Sequence, residues 1–153
     1  MKRARPAFAI LVGGLVGGAF DLTYAIVFSA MHGVAPQRIL QSVASGLLGS
    51  ASFTGGVPTA VLGFVLHFCI ALAAAAVFYL ASLRLPFLTR RPIVSGAVFG
   101  FCVYWIMNLV VLPLSAFPGQ WKFNAVLLTA DLIVHMFLFG VSIALATRRA
   151  HRM

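Results

Sequence analysis

The sequence predicts an all-α integral membrane protein: a four-transmembrane-helix bundle with a short amphipathic helix on the outer face between spans one and two. Three observations predict it. The 153-residue chain is 62% hydrophobic and only 8% charged, with a mean hydropathy of +1.06. That is too little charge to cover a water-facing surface. Four apolar runs reach the roughly 20 residues that cross a bilayer. The cations sit at the ends of these runs and not on one face, which marks membrane topology. A net charge of +9 distributed in this way predicts no nucleic-acid partner.

The length suits one membrane domain, residues 1–153. The first span covers residues 7–31. The preceding "MKRARP" resembles the basic start of a signal peptide. The apolar run is too long for one, is broken by Asp21, and lacks a small-x-small cleavage site, so it reads as a retained span. Gly13, Gly17 and Asp21 share a helical face, Gly14 and Gly18 flank it, and Tyr24 continues it.

Residues 36–53, "PQRILQSVASGLLGSASF", read as the amphipathic helix. Ile39, Leu40, Val43 and Leu47 form its apolar face. Gln37, Arg38, Gln41, Ser42 and Ser45 form its polar face. Pro36 suits the first turn. The helix lies on the outer membrane face or caps the bundle, and "TGGVP" ends it.

The second span covers 57–83, with Thr59, Gly63, His67 and Ala71 on one face. The third covers 92–116 and aligns Gly96, Gly100, Tyr104 and Asn108. The fourth covers 123–147 and places Asp131, His135 and Phe139 on one side, with Ser142 near them. Small residues at this spacing let helix backbones approach, so Gly13, Gly17, Gly96 and Gly100 mark packing faces. "RP" opens the first and third spans. Asp21 follows its proline by 15 residues and Asn108 follows its own by 16. This spacing supports a pseudo-twofold bundle of two hairpins.

Nine cations lie on one side of these spans: Lys2, Arg3, Arg5, Arg84, Arg90, Arg91, Arg148, Arg149 and Arg152. Only Arg38 and Lys122 lie on the other. The asymmetry predicts cytoplasmic N- and C-termini. Cys69 and Cys102 have no framework spacing and read as buried free thiols. Tyr79, Trp105 and Trp121 read as interface anchors or packing residues.

Asp21 and Asp131 are the chain's only acids, and both fall inside apolar spans. At ~1.5 Å per residue, His67 lies about 15 Å from the outer end of its span, His135 about 18 Å and Asp131 about 12 Å. A charge at such depth costs several kcal/mol unless it is paired or hydrated. The sequence therefore predicts one inward-facing binding cluster of Asp21, Tyr24, His67, Tyr104, Asn108, Asp131 and His135.

Three functions fit that cluster. It can bind or pass a proton or a divalent metal ion, with Asp21, His67, Asp131 and His135 as the metal ligands. Such a carrier is expected to work as a homo-oligomer, because four spans seldom enclose a path alone. A haem between His67 and His135 is the second reading, although Asp131 is awkward beside a porphyrin. The third is an accessory or assembly subunit of a larger membrane complex, in which the polar groups only bond helices together at about 0.6 kcal/mol each. The lipid bilayer is a partner in all three. The chain carries no GxSxG, HExxH, P-loop or GxGxxG before a helix, so it does not read as an enzyme.

The runs "RILQSVASGLLG", "GGVPTAVLGFVLHF" and "MNLVVLPLSAFP" resemble small bacterial inner-membrane proteins distantly related to the YagU family. The resemblance covers most of the chain. It implies a four-span protein of the bacterial inner (plasma) membrane, and it carries no ligand or catalytic residues with it.

Overall fold

The computed structural model describes residues 5–119 and 125–153. Lys2, Arg3, Trp121 and Lys122 lie outside the described residues, as does the expected start of the fourth span at residue 123.

Among the described residues, all regular structure is helical. Helix α1 spans Pro6–Met31. Helix α2 spans Pro36–Leu48 and tightens into a 3-10 turn at Gly49–Phe53. Helix α3 spans Gly56–Arg84, and the single turn α4 spans Phe87–Arg90. Helix α5 spans Pro92–Leu114 and helix α6 spans residues 125–152. Proline occupies the first turn of α1, α2 and α5, where its missing N–H has no helical partner to lose. Gly56 starts α3 at φ +64, a backbone angle that lets the chain reverse between α2 and α3.

Four helices are long and apolar enough to cross a membrane: α1, α3, α5 and Leu128–Arg152 of α6. The first three agree with the expected spans to within two residues at each end. The helix of the fourth continues through the basic residues Arg148 and Arg149 to Arg152, five residues past the expected boundary. The amide of Arg5 donates to the carbonyl of Ala150 at 3.2 Å. Both termini and α4 therefore share one end of the bundle, and α2 covers the other.

Helix α1 packs between α3 and α6, and α6 also packs on α5. The glycines permit both approaches. A methyl group on Gly14 would lie 2.9 Å from the Leu72 Cα of α3, and one on Gly17 would lie 3.0 Å from the Phe139 carbonyl oxygen of α6. Gly13/Gly17 and Gly14/Gly18 thus serve two different neighbours. Gly96 and Gly100 cross α6 at Gly140, Val141 and His135. The core between the spans holds Phe78, Phe139, Ile143 and a layer of alanines. A smaller cluster of Ala9, Tyr79 and Ala150 closes the terminal end. Tyr79 is a packing residue, and Trp105 packs edge-on against Phe101 and Tyr104.

Two expectations need correction. Cys69 and Cys102 are free thiols, but they are exposed on the outside of the bundle and not buried. Helix α2 caps the bundle, yet its buried side is Gln41, Ala44 and Ser45, while Leu47 is 63% exposed. The reason is steric. Small residues let α2 sit close over Gly63 of α3, and Gln41 reaches inward to donate to the carbonyl of Gly56 at 3.0 Å. Leu40 is half-buried at this crossing, and Leu47 and Leu48 remain exposed.

Candidate functional site

Asp21 is carried on the face of α1 that the glycines press against α6. Its Oδ1 lies 3.3 Å from the Nδ1 of His135. The same Nδ1 lies 3.0 Å from the carbonyl oxygen of Asp131, one turn earlier in α6. Both partners are acceptors, so Nδ1 carries the proton and shares it between them. The opposite nitrogen, Nε2, is left as an acceptor in the neutral ring.

His135 sits in a π-helical stretch, Val134–Gly140. Asn108 sits in another, Met107–Val111. Such wide turns inside α-helices are uncommon and gather at functional sites. Here the wider turn sets His135 against Gly100 and aims its ring at α1. The Tyr104 ring of α5 meets it edge-on, with centroids 5.3 Å apart.

Tyr24 lies on α1 beside the Asp131 side chain. Its buried hydroxyl is a donor aimed at that carboxyl group. The chain's two acids therefore meet at one place, with His135 and two tyrosines around them. This is the arrangement that low dielectric surroundings require of ionisable groups.

His67 enters from α3. Its Nε2 donates to the carbonyl oxygen of Gly18 at 2.9 Å, one turn of α1 away from Asp21. Asn108 donates to the Tyr104 carbonyl of its own helix at 2.9 Å. The predicted cluster thus comes together for Asp21, Tyr24, Tyr104, Asp131 and His135. His67 stands across from it, and Asn108 is turned back on its own backbone.

Asp21, His67 and His135 line one cavity of about 370 Å³, within the usual size of small-molecule sites. Its walls are apolar and include Leu66, Ile70, Val103, Met107 and Phe139. Helix α2 roofs it with Ser42, Val43, Gly46 and Leu47, and Ser115 and Phe117 complete the rim. The amide of Ala116 donates to the Gly46 carbonyl at 2.9 Å, which fixes the rim to the roof. The residues that sequence reasoning missed are these wall and rim positions. Only Phe139, one turn beyond His135, carried a signal.

Among the described residues, no three His, Cys, Asp or Glu side chains are grouped to hold a metal ion. The expected set Asp21, His67, Asp131 and His135 is divided because His67 bonds to the backbone of α1. A haem between His67 and His135 meets a related obstacle, since both imidazoles are already tied to α1. No protein-family model, curated protein or solved structure matches this chain.

Proposed function

We propose that this is a multi-pass protein of the bacterial inner membrane, with cytoplasmic termini, that binds and passes a proton at the Asp21–His135 pair. The observation that carries the reading is the 3.3 Å contact between two titratable groups on the wall of a cavity. A carboxylate and an imidazole at that distance can exchange a proton with little movement. Histidine changes charge within the physiological range. Asp131 supplies a second carboxyl one turn away, and His67 a second imidazole on the facing wall.

The proton is favoured over the divalent metal because it needs only the pair, whereas a metal needs a third ligand brought into place. Orientation rests on the excess of cations at the end that carries the termini. Kinship with the YagU relatives, and assembly as a homo-oligomer or within a larger complex, belong to the same proposal.

The test is proton flux into liposomes containing the purified chain and an enclosed pH dye, driven by an imposed potential. Wild-type protein should pass protons, and Asp21→Asn should reduce the rate by at least about tenfold. Equal rates in wild type, Asp21→Asn and empty liposomes would overturn the reading and leave helix packing as the role of these residues.

A further inference from the structure

We propose that the cavity binds a small amphiphilic organic cation: a compact apolar body carrying one positive charge. This inference rests on the reading of Asp21 and His135 as an exchangeable proton site, and it names what that proton competes with.

Hydrogen-bond direction decides what the polar wall of the cavity can hold. The His67 Nε2 proton is committed to the Gly18 carbonyl, and the His135 Nδ1 proton to Asp21 and the Asp131 carbonyl. What the polar wall still offers is acceptors: the remaining lone pairs of Asp21 and the opposite nitrogens of two neutral imidazoles. Among the described residues, no lysine or arginine lines the cavity. Arg38 of the roof helix instead lies over the Phe53 ring, 4.1 Å from its centroid. Among the described residues of a chain with a formal charge of +9, the carboxylate that lines this cavity is that of Asp21, with Asp131 behind it.

The rest of the lining selects the body of the ligand. Leu66, Ile70 and Val103 give an apolar wall, and Phe117 and Phe139 present rings of the kind that attract cations. Helices α3 and α5 both line the cavity, with Leu66 and Ile70 on one and Val103 and Met107 on the other, and they meet beyond it where the Phe78 and Phe99 rings pack edge to face. An anionic amphiphile would set its charge against Asp21 and Asp131 with no fixed cation in return. A neutral one would leave the acceptors unused.

Protons and the organic cation then compete for the same carboxylate. The groups that set this competition come from every span: Asp21 and Tyr24 of α1, His67 of α3, Tyr104 of α5, and Asp131 and His135 of α6. A proton on the Asp21 carboxylate removes the charge that the cation needs, so cation affinity falls as the proton concentration rises.

The experiment is calorimetric titration of the full chain in detergent with three probes. They are benzyltrimethylammonium, its uncharged isostere neopentylbenzene, and benzenesulfonate. The expected result is one benzyltrimethylammonium per chain, bound at least about tenfold more tightly than neopentylbenzene, with no binding of benzenesulfonate. Asp21→Asn should lose the charge preference and the pH dependence and keep the binding of neopentylbenzene, which shows that the cavity still forms. Equal affinity for the charged and uncharged probes, preference for the anion, or a charge preference that survives Asp21→Asn would each overturn the proposal. Absence of cation binding in a protein whose Asp21 still takes up a proton overturns this inference alone. Absence of that proton uptake overturns the reading beneath it, and this inference with it.

Discussion

Replacing Gly100 with alanine will part α5 from α6 at the turn that carries His135. A methyl group there would lie 2.8 Å from the Cα of Met136 and closer still to the His135 carbonyl oxygen. The His135 carbonyl carbon would lie 2.6 Å away, and ordinary contact begins near ~3.4 Å, so the helices must separate by at least about 0.8 Å. A gap of that size forfeits about a quarter to a half of each dispersion contact across it. If the crossing holds no more than the contacts of one buried side chain, about 40 atom pairs at ~0.1 kcal/mol each, the loss is about 1–2 kcal/mol. Alanine also favours the helix by about 0.5–1 kcal/mol over glycine, which acts in the opposite direction. Gly46→Ala supplies the control. It gains the same helix preference, and its nearest neighbour is the Ser115 Oγ at 3.7 Å, an ordinary contact. The assay is reversible unfolding in mixed micelles. Gly100→Ala should be less stable than Gly46→Ala by about 1–2 kcal/mol. Equal stability of the two variants would refute a close crossing at Gly100 and the placement of His135 that depends on it.

Three further outcomes follow from the same geometry. His67→Phe removes the bond to the Gly18 carbonyl, and unfolding in micelles should show a loss of about 0.6–1.7 kcal/mol; a larger loss would give His67 a role beyond this one bond. Gln41→Leu removes the donor to Gly56 and Thr59, so hydrogen exchange of the α2 amides should quicken while that of α1 and α3 stays unchanged. Cys69 and Cys102 face outward from the spans, so in liposomes a lipid-soluble maleimide should label both and a membrane-impermeant one neither.

The spans were legible because hydrocarbon demands long apolar helices, and the prolines at 6, 36 and 92 mark where three helices begin. The meeting of Asp21 with His135 was legible for a related reason. Asp21 lies on the same face as Gly13 and Gly17, and that face had to meet another helix. Three features were not legible. Helix rotation within the bundle decides that His67 bonds to Gly18 and not to Asp21. Local widening into π-helix, which no residue pattern announces, goes with Asn108 bonding back to Tyr104. Helix α2 buries Gln41 and Ser45 of its polar face because small groups and an inward amide fit above Gly63, while Val43 and Leu47 of its apolar face border the cavity, so a helical wheel gives only part of what it buries. The cavity is walled by residues from α1, α2, α3, α5 and α6 together, and spacing within any one helix carries no trace of it.

The most direct test of the account is magnetic resonance of the chain in lipid bilayers, with ¹⁵N in the histidine rings and ¹³C in the aspartate carboxyl groups. Strong dipolar coupling between the His135 Nδ1 and the Asp21 carboxyl carbon is expected, with the proton of the neutral ring on Nδ1 and none on Nε2. No coupling between these atoms, or a neutral ring whose proton sits on Nε2, would contradict it.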